Sequence, residues 1–220
     1  MTTTSHNTPA PLPEAATVVL LRDGAAGIET LLLERPDRGS FAGAWVFPGG
    51  KVEPGDTRGD HDATLRAAGV RETAEETGVH LQSGDLVALS RWTPPERMPV
   101  RIRTWFFLAP DPGGDLVLQP DEAVAARWLG PADALAAHGA GALVLYPPTW
   151  VTLHALTVVA TAAEALAIAA GAGVQRFDTV AADGGLMLWQ GDAEHPGEPT
   201  ENGIHRLETA TLPWRYRRTV

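Results

Sequence analysis

Arg71-Glu72-Thr73-Ala74-Glu75-Glu76-Thr77-Gly78-Val79 sets three carboxylates and an arginine within nine residues and then places a glycine. At about 100° per residue, a helix through this stretch gathers Glu72, Glu75 and Glu76 into one sector, with Ala67, Val70 and Ala74 roughly opposite. The expectation is one face that packs and one that coordinates. Hard oxygen ligands suit Mg²⁺ or Mn²⁺, the ions that serve when water attacks the phosphorus of a diphosphate and negative charge develops on its oxygens. Glu72 and Glu76, one turn apart, are the first choices as metal ligands. Glu75 is a third ligand or the base that deprotonates water, and these roles can exchange. Arg71 stands one turn before Glu75, within reach of its carboxylate, and Gly78 sits where a left-handed C-cap is expected. The competing reading of the same residues is a solvated acidic helix face.

The upstream residues weigh against that competitor. Trp45-Val46-Phe47-Pro48-Gly49-Gly50-Lys51-Val52-Glu53-Pro54-Gly55-Asp56 reads as a short apolar strand running into a glycine-rich loop with a further acid. Glycines there let the backbone take positive φ and approach a ligand closely. Together the two stretches resemble the Nudix hydrolase signature: Gly, five residues, Glu, seven residues, then Arg-Glu-apolar-any-Glu-Glu-any-Gly-apolar, with Gly50 at the first position. Asp56 stands where that pattern has Glu, Thr73 where it has an aliphatic residue, and fourteen residues instead of seven precede Arg71. The extra residues are expected to lengthen the loop around Thr57-Arg58-Gly59-Asp60-His61, with Asp62 as N-cap of a helix from about Ala63 to Thr77.

An interrupted signature is similar to the branch that contains peroxisomal coenzyme A diphosphatases and bacterial relatives. Ser90-Arg91-Trp92-Thr93-Pro94-Pro95, the basic strand Arg101 to Phe107 and the turn Gly191 to Pro196 resemble elements of that branch, although Arg103 replaces an expected acid. The resemblance implies a Nudix-type α/β/α sandwich with a mixed sheet and a C-terminal helical extension. It implies hydrolysis of a diphosphate linkage in a small-molecule nucleoside diphosphate derivative, with coenzyme A-type substrates favoured and ADP-ribose or another nucleotide sugar as the alternative. By the same resemblance Arg71 orients a catalytic glutamate, Gly49 and Gly50 shape the metal and diphosphate site, and Asp56 is an outer carboxylate. A different class, a nucleotide-sensing module without turnover, is disfavoured by the presence of all three signature acids and the lack of a helix-turn-helix segment.

Further acids and bases extend the candidate site. Asp121 and Glu122 precede a strand at Ala123-Leu129 and either supply a distant carboxylate or cap that strand. Arg35, Arg38, Arg91, Arg97, Arg101 and Arg103 are candidates to clamp phosphates bidentately, with Arg38, Arg91 and Arg101 selected as substrate-binding. Trp92 and Trp105 are the candidates for a ligand wall, whereas Trp45, Trp128 and Trp189 sit in strand-like apolar runs and read as core. The seven histidines show no paired ligand spacing.

The chain has 220 residues, 44% of them hydrophobic, enough to bury one substantial core. A net charge of −10 argues against nonspecific nucleic-acid binding, and zero cysteine removes disulfides, thiolate ligands and thiol nucleophiles together. Residues 1–14, rich in Thr, Pro, Ser and Asn, read as a disordered tail without the basic start or apolar run of a signal peptide. Residues 15–220 read as the catalytic domain, with 146–220 an extension packed on it, in a cytoplasmic protein. Thr149-Ala170 is expected as one long buried helix, interrupted by His154 and Glu164 and therefore not a membrane span. Its burial against the sheet or a second subunit leaves a homodimer open. Strands are expected at Thr17-Arg22, Thr30-Glu34, Asp85-Trp92, Arg101-Leu108, Leu186-Trp189 and Gly203-Leu207, and a further helix at Pro131-Ala137.

Overall fold

A computed structural model describes residues 11–38 and 42–219. In chain order these residues form β1 (Glu14–Gly24), β2 (Gly27–Glu34), β3 (Trp45–Val46), β4 (Gly49–Lys51), α1 (His61–Thr77), β5 (Val87–Thr93), β6 (Arg103–Pro110), β7 (Ala125–Leu129), α2 (Pro131–Gly139), α3 (Pro147–Leu156), α4 (Ala162–Ala172), β8 (Gln175–Asp178), β9 (Val180–Ala182), β10 (Leu186–Leu188), β11 (His205–Glu208) and β12 (Arg215–Arg218). Most of the expected tail, residues 1–10, lies outside the described residues. Its last member, Glu14, already belongs to β1.

Alternation along the central strands explains the layers. On β1, Val18 and Leu20 face one side while Val19 and Leu21 face the other; on β6, Phe107 and Ala109 oppose Phe106 and Leu108. Both sides are buried, so these strands read as unbroken apolar runs. The first core lies under α1, and the second under α2, α3 and α4. The main sheet runs β3-β2-β1-β6-β5-β8, with β4 also pairing β1 and β7 pairing β2. β1 is parallel to β6 and β5 to β8, while the other pairs are antiparallel. This is the expected α/β class with a mixed sheet. A second, four-stranded antiparallel sheet, β12-β11-β10-β9, follows it.

Three expectations about helices need correction. The long C-terminal helix is two helices, α3 and α4, because Thr161 starts a new one by accepting from the Glu164 amide at 3.2 Å while Glu164 Oε2 accepts from the Ala160 amide at 2.8 Å. α1 starts earlier than Ala63, capped by Asp60, whose side chain accepts from the Ala63 amide at 2.7 Å; Asp62 instead pairs with Arg66. The inserted residues are thus divided between loop and helix. The end of α1 is as expected, with Gly78 left-handed at φ 73°.

The facing of α1 is also the reverse of the expected one. Its buried residues are Leu65, Ala68, Gly69, Thr73, Glu76 and Thr77, whereas Ala67, Val70 and Ala74 stay partly covered. Small residues allow the close approach: a Cβ on Gly69 would lie 3.1 Å from Val18 Cγ2. Thr73 and Thr77 return their hydroxyls to the carbonyls of Gly69 and Thr73 at 2.7 and 2.6 Å, so their burial leaves no donor unmatched. The acidic side of the helix is therefore pressed toward the sheet. Among the described residues no helix is long and apolar enough to cross a membrane.

Candidate active site

The glycine-rich segment is in part a strand. β4 lies antiparallel to β1, with Gly49 opposite Thr17 and Gly50 opposite Ala16. The two glycines are required for different reasons. At Gly49, φ is 153° and a Cβ would strike the carbonyl oxygen of Ala16. At Gly50 a Cβ would occupy the space of the Glu72 carboxyl group.

The last turns of α1 deliver their acids to this strand at three depths. Glu76 is 3% exposed; its Oε2 accepts from the Gly49 amide at 2.9 Å and its Oε1 from Arg35 Nη1 at 2.9 Å. Burial pushes its pKa up to about 7, against the pull of Gly49 and Arg35, and the charges of Glu72 and Glu122 add to the rise. Glu72 has a side chain 16% exposed with Arg71 Nη1 at 3.0 Å. Burial raises its pKa too, with Arg71 opposing. Glu75, 57% exposed, is held by the same Arg71 nitrogen at 2.8 Å.

Arg71 is in turn fixed by Asp56. Its Nε and Nη2 grip the two carboxylate oxygens at 2.9 and 3.0 Å, and Nη2 also reaches the Lys51 carbonyl at 2.9 Å. Those bonds to Arg71 hold the buried Asp56 carboxyl below the usual carboxylate range, with burial opposing. Asp56 Oδ2 also accepts from the Glu53 amide at 2.8 Å. Both oxygens of Asp56 are employed, so it acts here as the clamp of an arginine.

Arg35 was one of six candidate clamps, and its real place is beside Glu76. It follows β2 directly, and its Nη1 also lies 3.0 Å from Glu122 Oε2. Glu122 thereby joins the cluster across 46 residues of chain from the helical acids' nearest member. Arg38 pairs with Asp121 at 2.6 Å on the exposed rim nearby. The other two selected arginines are engaged elsewhere. Arg91 meets Asp178 at 3.2 Å, and Arg101 donates to the Pro94 carbonyl at 3.3 Å. Trp92 is a core residue, not a ligand wall: it stacks on Phe177 at 3.9 Å between ring centroids and donates to Ser90 at 3.0 Å. Trp105 is half-buried and tied to Glu14 at 3.1 Å and edge-on to His61.

The charge balance defines what the cluster can do. Asp56, Glu72, Glu75, Glu76 and Glu122 are five carboxylates, and the cations bonded to them among the described residues are two guanidiniums, Arg35 and Arg71. No three of these acids enclose an ion as they stand among the described residues, because each leans on an arginine. The donor set still fits a hard divalent cation: oxygen ligands, surplus negative charge, and a buried member whose raised pKa reports unmet compensation.

A sequence model of the NUDIX domain matches residues 11–147, a span containing the whole acidic cluster. The chain is 35% identical over 122 residues to the CTP pyrophosphohydrolase of Escherichia coli (strain K12), covering 56% of this chain and 78% of that protein. It resembles the crystal structure of a NUDIX hydrolase from Alicyclobacillus acidocaldarius with a TM-score of 0.65 and 28% identity over 71% of this chain and 96% of that one. The NUDIX domain of Shewanella oneidensis NrtR, solved with ADP ribose, shares the fold at a TM-score of 0.52 and 18% identity, over 67% of this chain and 90% of that one. A family match over more than half the chain, centred on an acidic helix and its glycine strand, makes this protein a Nudix hydrolase.

Proposed function

We propose that the enzyme hydrolyses a diphosphate linkage in a nucleoside diphosphate derivative, using a divalent metal held by Glu72 and Glu76 with Glu75 or Glu122 as a further ligand. The observation that carries this reading is the surplus of five carboxylates over two guanidiniums around a buried Glu76. Bound there, Mg²⁺ or Mn²⁺ would supply positive charge to the phosphoryl oxygens and acidify the attacking water. Glu75, the most exposed of Glu72, Glu75 and Glu76, takes the proton in this reading. Arg71, immobilised by Asp56, holds Glu72 and Glu75 one turn apart. Arg38 on the rim meets the outer phosphate, the absence of a side chain at Gly50 leaves room for Glu72 beside β4, and the Gly49 amide holds Glu76.

Coenzyme A-type substrates lead on the resemblance of the interrupted signature. That preference rests on the signature itself, since Trp92 and Asp192 from the other branch-like elements are packed or paired structurally. Identity to the Escherichia coli CTP pyrophosphohydrolase favours a second reading, a nucleoside triphosphate. We also take residues 146–220 as an extension of the same unit, because Phe177, Trp189 and Leu207 share a core with Trp92 and Val19. Incubation with Mg²⁺ or Mn²⁺ and a panel of coenzyme A, ADP-ribose and CTP separates the substrates. Intact coenzyme A beside cleaved CTP overturns the leading substrate, and a panel left wholly intact overturns the proposed diphosphate chemistry.

A further inference from the structure

We infer that Arg35 is a built-in counter-cation which a divalent metal must displace from Glu76 and Glu122, so that this arginine sets how tightly the site holds its metal. The inference rests on the metal reading above and adds a competitor to it. A single nitrogen, Arg35 Nη1, lies 2.9 Å from Glu76 Oε1 and 3.0 Å from Glu122 Oε2. It brings together carboxylates from the last turn of α1 and from the turn before β7, two segments whose backbones also meet where the Val117 amide donates to the Thr77 carbonyl at 2.8 Å and the Gln119 amide to the Glu76 carbonyl at 3.4 Å. Mg²⁺ takes oxygen ligands at about 2.0–2.1 Å, so the same two oxygens need close in by only about 1 Å each to replace the guanidinium with an ion. The guanidinium and the ion cannot both stand between those oxygens, because like charges at that separation repel.

The two arginines of the cluster differ in how they are fastened. Arg71 is locked by a bidentate grip on Asp56 and by the Lys51 carbonyl, and these contacts remain when Glu72 and Glu75 turn to a metal. For the Arg35 guanidinium the recorded partners among the described residues are Glu76 and Glu122 themselves. Its backbone is anchored through the Ala44 carbonyl at 2.9 Å, leaving the long side chain to swing. Arg71 is built to stay and Arg35 to leave. Arg35 also holds Glu76 and Glu122 near each other before any metal arrives.

Mn²⁺ binding to the full chain, followed by electron paramagnetic resonance of the free ion and by calorimetry at pH 8, tests this. Arg35→Gln should tighten Mn²⁺ binding by about tenfold, within the usual range of coupling between competing ligands, and should enlarge the rise in melting temperature that Mn²⁺ produces. Arg35→Lys, which keeps a charge but loses the fork, should fall between wild type and Arg35→Gln. Arg38→Gln, removing a rim charge paired with Asp121, should change the Mn²⁺ affinity by less than about threefold if contact and not the general field is responsible. Unchanged or weaker Mn²⁺ binding by a folded Arg35→Gln, or equal tightening by Arg38→Gln, overturns the inference while leaving the metal reading intact. Should Arg35→Gln not fold without metal, Arg35→Lys binding no tighter than wild type overturns it instead. Absence of binding by wild type and every variant overturns both.

Discussion

Asp192 in the loop between β10 and β11 and Glu76 at the end of α1 are both carboxylates closed off from solvent, and their surroundings treat them in opposite ways. Asp192 receives Arg206 through Nε at 2.7 Å and Nη2 at 2.5 Å, the His205 amide at 2.9 Å and the Glu194 amide at 3.0 Å. Burial alone would raise its pKa, yet these donors hold it at about 2. Glu76 receives one amide and half of a shared guanidinium, has two other glutamates nearby, and is pushed up to about 7. A buried charge matched by its own neighbours fastens a turn. One left short of partners is the one that the proposed divalent cation would complete.

The sharpest way to break this comparison is to neutralise each acid in turn. Glu76→Gln should lower turnover by about two to three orders of magnitude while the fold stays as stable as wild type or gains, since an uncompensated buried charge is removed. Asp192→Asn should do the reverse, costing about 3 kcal/mol in urea unfolding because Arg206 loses its two-point grip on a fully buried carboxylate and keeps only the exposed Glu194, with turnover per folded molecule unchanged. Equal losses of stability from the two substitutions would erase the distinction.

Acidity sharpens it further. The folded chain holds a proton on Glu76 up to about pH 7, whereas the unfolded chain releases it near pH 4.5, so between those values the folded state binds more protons. Raising pH through that window therefore destabilises the fold, by up to about 3 kcal/mol relative to Glu76→Gln. Asp192 has the opposite sign: its contribution is full above pH 3.8 and is lost as pH falls toward about 2. Urea midpoints of wild type and Glu76→Gln across pH 4.5 to 7.5 should converge at the acid end and separate above it.

Smaller effects follow at the edges of the cluster. Gly50→Ala should displace the Glu72 carboxyl, the flexible end of a side chain, so activity should fall about tenfold or more while stability changes by about 1 kcal/mol or less. Arg38→Ala breaks a pair exposed on both sides and should alter stability by less than about 0.5 kcal/mol, with a severalfold rise in KM as its main trace.

The acidic helix, its C-cap and the apolar strands were legible in the sequence because each leaves a local pattern: carboxylates at helical spacing, a glycine after them, and unbroken apolar runs where both sheet faces are covered. β8 and β12 were not, since Gln-Arg-Phe-Asp and Arg-Tyr-Arg-Arg become strands through their neighbours and not through their own alternation. The break between α3 and α4 carried a signal, Thr161 followed three residues later by Glu164, that the alanine-rich composition obscured. The facing of α1 was misread because Ala67, Val70 and Ala74 were taken as the packing side, although i−4 hydroxyl bonds and a strand amide let Thr73, Thr77 and Glu76 sit in the interior instead. Arg35 gave no local clue to its partner, which lies 41 residues away and meets it only through β4 and the end of α1.

Calorimetric titration of Mn²⁺ into wild type and Glu76→Gln at equal concentration addresses the surplus charge most directly. Wild type should bind with measurable heat and Glu76→Gln at least about tenfold more weakly, in line with loss of one carboxylate ligand. Superimposable titrations of the two proteins, or no heat from wild type, would contradict the assignment of this acidic cluster as a cation site.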